Sequence, residues 1–132
     1  MPGSTYPTPF LFLALILATT PTLAADPVPV MHGGEPDMDA CGGWGEVRGL
    51  DPNGDGFLAV RTGPGTGYPM IGRLHEGDGV HFCDQRDNWI GIVYGEPGQD
   101  CQANPILPLR QPYRGPCKSG WAHRHWLVLL AG

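Results

Sequence analysis

The stretch "LAVRTGPGTGYPMIGRLHEGD", residues 58–78, joins two short apolar runs through a segment rich in glycine and proline. Leu58 and Val60 fall on one face of an extended chain, because alternate residues of a strand point the same way. Glycine and proline are residues of tight turns, and both disfavour helix interiors. The stretch therefore predicts a β-strand followed by tight turns, in which the glycines take positive φ.

The composition of the whole chain agrees with this prediction. Its 132 residues suffice for one small domain. The 21 glycines and 15 prolines are roughly twice the usual share for the pair. Tryptophans and periodic apolar runs lie between these turn residues, which argues against a disordered tract. We expect a turn-rich, all-β domain.

Five segments have the short alternating or apolar pattern of strands. In 89–94, for example, Ile90, Ile92 and Tyr94 share one face and Trp89 lies on the other. About five strands with turns between them predict a small β-barrel. The segments are 44–50, 57–61, 80–83, 89–94 and the C-terminal 120–130.

The motif around residues 58–78 resembles the signature of bacterial SH3 (SH3b) domains, and the resemblance covers roughly residues 45–130. In that family a Val-Arg-x-Gly-Pro-Gly-Thr run leads to Tyr-Pro, a Gly-Asp turn, a strand with Trp, and a final Gly-Trp. The resemblance implies a small SH3-like barrel that binds peptidoglycan or short peptides. The matching residues are Leu58, Val60, Arg61, Gly63, Pro64, Gly65, Thr66, Tyr68, Pro69, Ile71, Gly72, Leu74, Gly77, Asp78, Val80, Trp89, Ile92, Gly120, Trp121 and Leu127.

The sequence departs from that family pattern in three places. Ala59 replaces an asparagine and Ala122 replaces a valine. Residues 95–119 are far longer than the few residues usual between those strands, and we refer to them as the insertion. Long loops of this kind are uncommon in compact domains unless they have a role. The SH3-like domain is therefore predicted over 44–132, with 95–119 as a loop insertion.

The N-terminal residues predict export. The nine apolar residues "FLFLALILA" at 10–18 precede "TTPTLAAD", in which Thr22 and Ala24 suit a cleavage site before Ala25. The apolar run is too short to span a bilayer, which takes about 20 residues. We expect a signal peptide over 1–24, a flexible leader over 25–43, and a periplasmic or secreted mature chain without a membrane span.

Four cysteines follow the predicted signal peptide, at positions 41, 83, 101 and 117. Their spacing lacks the close ligand pairs of a structural zinc site. An even number in an exported small domain predicts two disulfides, for which three pairings exist. We favour Cys101–Cys117, which closes one short loop of the insertion, together with Cys41–Cys83.

The charge pattern bears on partners. The net charge is −5, which argues against a nucleic-acid partner. All 13 acidic residues precede residue 101. Residues 101–132 hold no acid and four basic residues, Arg110, Arg114, Lys118 and Arg124. A basic loop facing an anionic partner and a merely solvated surface are both consistent with this distribution.

The predicted ligand site combines aromatic and basic residues. Trp89 is predicted to point away from the core, and with Tyr68 it would line a groove. The basic insertion would contribute Arg110, Tyr113 and Arg114. The expected partner is peptidoglycan or a short peptide. The alternative is an envelope protein bound through the disulfide-bonded loop. We expect no cofactor and no bound metal.

Two enzyme hypotheses are weaker. His123 and His125 have the spacing of zinc ligands in cell-wall peptidases, but no third ligand with a paired acid is evident. A cysteine peptidase would need a free thiol, which two disulfides do not leave.

The segment 51–62 begins like a calcium-binding loop, but Thr62 stands where such a loop has a bidentate glutamate at its twelfth position, so a turn is expected. We therefore predict a non-catalytic module.

Overall fold

A computed structural model describes residues 2–20 and 23–132. Its regular structure is almost entirely β, and a short 3₁₀ turn at Arg124–Trp126 lies between the last two strands. The strands are β1 (Met31–His32), β2 (Gly43–Val47), β3 (Leu58–Arg61), β4 (Met70–Leu74), β5 (Gly79–Arg86), β6 (Trp89–Tyr94), β7 (Gln111–Pro112), β8 (Lys118–His123) and β9 (Leu127–Ala131).

Seven strands form one sheet in the order β4-β3-β8-β6-β5-β2-β9, and β1 pairs with β7 in a separate two-stranded sheet. All pairings are antiparallel. The all-β prediction is confirmed, but the prediction of a closed barrel is wrong. Closure requires the two outermost strands to pair, and here β4 and β9 each pair with a single neighbour.

The strand count also exceeds the five expected. Residues 70–74, which the sequence places among the turns, pair with β3 along four positions as β4. The C-terminal stretch is not one strand, because the 3₁₀ turn separates β8 from β9, and β9 lies at the far edge of the sheet beside β2. Residues 31–32 and 111–112 add the small second sheet.

The inner face of the large sheet holds the main core. Ile90 and Ile92 of β6 lie on this face, as their alternation predicts, and Val60 and Val80 are fully buried beside them. Leu50, Phe82, Tyr94 and Trp126 pack around this cluster. The buried members are Val47, Leu58, Val60, Leu74, Val80, Ile90, Ile92, Ala122 and Leu127.

The outer face of β5, β6 and β8 is covered as well, by residues 28–41. Asp84, Gly91 and Trp121 lie side by side across these three strands. The Trp121 indole N–H donates to the Val28 carbonyl at 2.8 Å, and its ring has no exposed surface. Val30 is also buried.

The expectation of a flexible leader over 25–43 therefore needs correction for residues 28–41. This segment carries no periodicity because it packs through single residues and through backbone hydrogen bonds. Gly33 N–H donates to Ala40 C=O, and Ala40 N–H donates to Pro105 C=O in the insertion. We refer to residues 28–41 as the N-terminal cover.

The insertion packs against the same outer face. Its Tyr113 is buried with Val93 and Cys101 in a second hydrophobic cluster. Tyr113 N–H donates to Val30 C=O at 2.8 Å, and Cys41 N–H donates to Ala103 C=O at 2.9 Å. The insertion and the N-terminal cover therefore form one layer over the sheet.

Both favoured disulfides are present, Cys41–Cys83 and Cys101–Cys117. The first joins the N-terminal cover to β5. The ladder between β5 and β6 shifts register between Phe82 and Asp84. This bulge leaves Cys83 as an extra residue, so Phe82 can face the core while Asp84 faces the cover.

Two glycines of the 58–78 stretch make space for a neighbouring tyrosine. Of all the glycines in this stretch, only Gly77 has a positive φ, at +85° in the turn before β5. A Cβ on Gly63 would overlap the Tyr68 ring, and one on Gly72 would lie 2.5 Å from the Tyr94 hydroxyl. The expectation that these glycines take positive φ is correct at Gly77 and wrong at the other four. At Gly63 and Gly72 a neighbouring tyrosine needs the room.

Residues 2–20 lie in neither a helix nor a strand and are exposed. In the part of the chain that is described, no helix has the length and apolar character needed to cross a bilayer. Thr22, expected just before the cleavage site, lies outside the described residues. The signal peptide remains a prediction.

Candidate functional site

The aromatic residues expected to share a groove lie at opposite ends of the sheet. Trp89 begins β6 and pairs with His123, whose ring packs edge-on against it at 5.3 Å. At the end of β3, Arg61 pairs with Trp121 of β8, and the chain then continues past Gly120, away from His123. Tyr68 lies in the segment that follows β3 and packs over Gly63. Trp89 and Tyr68 therefore do not form one surface.

The insertion residues expected to bind ligand mostly have partners within the protein. Arg110 donates to the Asp84 carboxylate at 2.5 Å, and that carboxylate is almost fully buried. The Asp84 carboxylate also accepts the Met31 N–H at 3.0 Å. The buried Tyr113 hydroxyl donates to Cys101 C=O at 2.7 Å and accepts the Cys117 N–H at 3.1 Å. Arg114 is exposed, and so is Arg110, although its guanidinium is engaged by Asp84.

A groove of about 770 Å³ lies elsewhere on the protein. One wall comes from β2 and the start of β5, with Trp44 and His81. The end of β4 contributes Arg73, and the end of β6 contributes Tyr94. The Cys101–Cys117 disulfide and the start of β8 complete the lining. We refer to this feature as the Trp44 groove.

Trp44 forms a fixed aromatic surface in this groove. Its six-membered ring lies on Gly79, where a Cβ would come within 2.3 Å of the ring. His81, directly opposite on β5, packs edge-on against it with 4.8 Å between ring centroids. The side chain nevertheless remains 41% exposed. A held but open indole face can stack on an apolar or sugar-like part of a ligand.

His81 gives this wall a polar but uncharged edge at neutral pH. Burial lowers the pKa of the His81 imidazole, and the negative charge of Asp100 opposes that shift in part. The neutral ring has one nitrogen donor and one acceptor. It can therefore hydrogen-bond to a ligand without adding charge.

The acidic side chains of the groove differ in their surroundings. Glu46 pairs with Arg48. Asp78 accepts the backbone N–H of His75 at 2.7 Å. Glu96 lies in the exposed turn after β6, where its backbone N–H donates to the Gln99 side chain at 3.0 Å. These contacts leave the lining with a mixed charge pattern.

The basic side chains and Tyr94 lie across the groove from Trp44. The Arg73 guanidinium lies over the Phe57 ring at 4.5 Å. Lys118 is exposed and directly opposite Tyr94 in the sheet. The Tyr94 hydroxyl reaches Gly72 on the core-facing side of β4, whereas Arg73 lies on the other side of that strand. Burial raises the pKa of the Tyr94 phenol, which keeps its O–H a donor at neutral pH.

The two histidines with zinc-ligand spacing lie at the Trp89 end of the sheet. His123 Nδ1 accepts the backbone N–H of His125 at 3.1 Å and thereby caps the 3₁₀ turn. Their ring centroids are 6.5 Å apart. Across residues 2–20 and 23–132, no three His, Cys, Asp or Glu side chains are grouped as a metal site would require.

Sequence reasoning missed the Trp44 groove although part of it was detectable. On β2, the alternation of residues places Trp44 on the face opposite to Val47. On β5, it places His81 on the face opposite to Val80 and Phe82. Both patterns put the aromatic residue outside the core. The contributions of Lys118 and Cys117 depend on how the insertion folds back, which no local pattern encodes.

In comparisons with known proteins, the chain matches no family model, no curated protein and no solved structure.

Proposed function

We propose that this chain is an exported, non-catalytic binding module of SH3-like type that holds peptidoglycan or a short peptide of the cell envelope in the Trp44 groove. The observation that carries the proposal is the Trp44 ring, fixed on Gly79 and against His81 yet 41% exposed. A rigid, open indole beside hydrogen-bonding groups is typical of sites for sugars and extended peptides.

Export is supported by the apolar run at 10–18 and by the two disulfides, which persist in oxidising compartments. The SH3-like assignment is supported by the motif density of residues 58–78 and by the all-β, antiparallel class of the domain. A cysteine-dependent enzyme is disfavoured by the two disulfides, because all four cysteines are bonded and offer no thiol nucleophile.

Co-sedimentation with isolated peptidoglycan sacculi tests the proposal, using the oxidised domain of residues 25–132. We expect the wild-type domain to bind and the Trp44→Ala variant to bind about thirtyfold more weakly, since losing a well-seated tryptophan contact costs about 2 kcal/mol. Trp89→Ala is the comparison variant, because it removes a half-buried tryptophan from the opposite end of the sheet.

Thermal melts of both variants establish that they fold. Absence of wild-type binding at moderate salt would contradict the proposal. Loss of binding in Trp89→Ala, with Trp44→Ala unaffected, would place the ligand at the other end of the sheet.

A second candidate function is favoured by the exposed apolar side chains of the insertion. Ile106 is 57% exposed and Leu109 is 75% exposed. An envelope protein could dock there, so that this chain acts as an interaction module. Deleting the insertion would remove the buried Tyr113 and the Arg110–Asp84 pair, so the test is the double variant Ile106→Ser, Leu109→Ser. Loss of a captured envelope protein with sacculus binding unaffected would support this role.

A further inference from the structure

The outer edge of β9 is open and apolar. Among residues 2–20 and 23–132, β9 pairs only with β2, so the backbone groups along its other side meet no strand. Val128, Leu129 and Leu130 are each about half exposed. The strand contains no charged residue and no proline, two features with which proteins commonly protect a sheet edge. Leu130, the extra residue where the register against β2 shifts, is apolar as well.

This edge strand is apolar on both of its faces. Leu129 pairs with Gly45 on the core-facing side of the sheet. Val128 pairs with Glu46 on the opposite side, which also carries Trp44. Each side chain of an added strand would lie beside a side chain of β9 on the same face. A strand that matches this edge is therefore apolar on both faces too.

An open hollow of about 460 Å³ adjoins the same edge. Leu129 forms one side of it, and Phe82 and Ile90 contribute further apolar side chains. The charged members of its lining, Asp84 and Arg110, pair with each other. The hollow is large enough to take an apolar side chain of an added strand, and it presents no unpaired charge to that side chain.

A second copy of β9 has the properties that this edge requires. Its residues are apolar and uncharged, so self-pairing brings no like charges of the two strands together. The other outermost strand, β4, carries Arg73. Pairing of β9 with β4 of another copy would also leave a free edge at each end and build a filament, whereas pairing of β9 with β9 closes after two copies. On the neighbouring strand, Glu46 is neutralised by Arg48, so the net charge of −5 does not act at this edge.

We propose that β9 pairs with β9 of a second copy in antiparallel orientation, so that the protein forms a dimer with twofold symmetry. The antiparallel orientation is favoured because Arg124 precedes β9 in each copy, and this orientation puts the two Arg124 side chains at opposite ends of the paired strands. Pairing through one short strand buries less surface than a standard interface of about 1,600 Å². The dimer is therefore weak and reversible.

The dimer has a consequence for the Trp44 groove. Residues paired across antiparallel strands lie on the same face of a sheet, so the Trp44 faces of both copies lie on one side of the joined sheet. Two grooves on one side can engage one polymer, which raises the apparent affinity without new contacts. This consequence rests on the proposed function, whereas the strand pairing does not.

Sedimentation velocity of the oxidised domain of residues 25–132 tests the pairing, at protein concentrations from low micromolar to near millimolar. Residues 2–20 are exposed throughout and the N-terminal cover begins at residue 28, so this domain contains the whole fold. We expect the sedimentation coefficient to rise with concentration from that of a monomer to that of a dimer and no further. Added salt should not weaken the dimer, because its contacts are apolar.

Leu129→Lys and Ile71→Lys form a matched pair of variants. Both residues are apolar, 55% and 54% exposed, and they lie on the two outermost strands, β9 and β4. Leu129→Lys should weaken dimerisation about tenfold, since a lysine at a sheet edge opposes strand addition, and Ile71→Lys should dimerise like the wild type. Each change makes the net charge one unit less negative, so a loss in Leu129→Lys alone does not come from net charge. Thermal melts establish folding, and Val128→Lys on the other face of β9 should give the same loss.

Hydrogen exchange of the wild-type domain at low and high concentration identifies the edge that pairs. Amides of β9 should exchange more slowly at high concentration, and amides of β4 should not change. A monomer at every concentration would overturn the proposal. Protection on β4, an equal loss in Ile71→Lys, or growth beyond a dimer would also overturn it, because another surface would then be responsible. These measurements use no sacculi, so the proposed function stands or falls separately.

Discussion

Gly91 shows at the scale of one residue why the two layers of this protein can meet. Its position on β6 lies under Val30 of the N-terminal cover, and a Cβ there would lie 2.6 Å from the Asp84 Cβ and 3.0 Å from a Val30 methyl. Asp84 cannot move aside cheaply, because its carboxylate accepts from Met31, Gln85 and Arg110. The missing side chain is therefore what allows the cover to approach the sheet.

We expect Gly91→Ala to lower the free energy of unfolding by about 1–3 kcal/mol, the usual cost of overpacking a core. Gly67→Ala is the matched control, since a Cβ there meets nothing within 4 Å and its φ is not positive. Urea unfolding of both variants measures the difference. Equal stability of the two variants would show that the cover does not press on Gly91.

His32 makes stability depend on pH. It is 7% exposed and packs edge-on against Tyr113, and its Nδ1 has no hydrogen-bond partner among the described residues. Burial lowers the pKa of His32 below its ordinary 6.5. Below that pH the unfolded chain binds more protons than the folded protein, so folding stability is retained above pH 6.5 and declines as the pH falls.

We expect the melting temperature to fall between pH 6.5 and pH 5, and to fall less in His32→Phe, which keeps an aromatic ring against Tyr113. His81, whose pKa is also lowered by burial, contributes in the same direction and accounts for the remaining slope. Differential scanning calorimetry across this range is the measurement. Identical pH profiles for the wild type and His32→Phe would contradict this role of His32.

At the scale of elements, the insertion is a structural layer as well as a wall of the groove. The Tyr113 hydroxyl connects the two cysteines of the insertion, because it donates to Cys101 C=O and accepts the Cys117 N–H beside their disulfide.

Tyr113→Phe should lower the free energy of unfolding by about 1–3 kcal/mol, since it leaves those backbone groups without a partner. Chemical denaturation measures the loss, and Arg114→Ala, a change at the exposed neighbour, should stay within about 0.5 kcal/mol of wild type. If Tyr113→Phe left the free energy of unfolding unchanged, the disulfide alone would hold the insertion in place.

The sequence predicts most of the inner sheet because that sheet follows local rules. Alternation on β3, β5 and β6 identifies Val60, Val80 and Ile92 as core residues, and all are fully buried. The all-β class follows from turn composition, and the number of disulfides follows from the number of cysteines. The extra strand β4 was missed because Met70–Leu74 is largely exposed at a sheet edge and shows no apolar alternation.

The outer layer could not be predicted in this way. The N-terminal cover and the insertion are far apart in sequence and depend on each other through backbone bonds such as Cys41 N–H to Ala103 C=O. Arg110 and Tyr113 look like exposed ligand residues in isolation. Their partners, Asp84 and the two insertion cysteines, become evident only when the layer is assembled.

At the scale of the whole molecule, one sheet with two covered faces positions the groove. The inner face carries the core and the outer face carries the cover and the insertion. The Trp44 groove lies where β2, β4, β6 and the insertion meet. A ligand there touches both layers, so the disulfide at the base of the insertion helps to fix the shape of the binding site.

The most direct measurement of this placement is an NMR titration of the oxidised, isotope-labelled domain with soluble fragments released from sacculi by muramidase. We expect the largest amide and indole shifts at Trp44, Gly79, His81, Tyr94 and Lys118, with saturation at a single affinity. Shifts centred on Trp89 and His123, or no shifts while the domain remains folded, would contradict binding in the Trp44 groove.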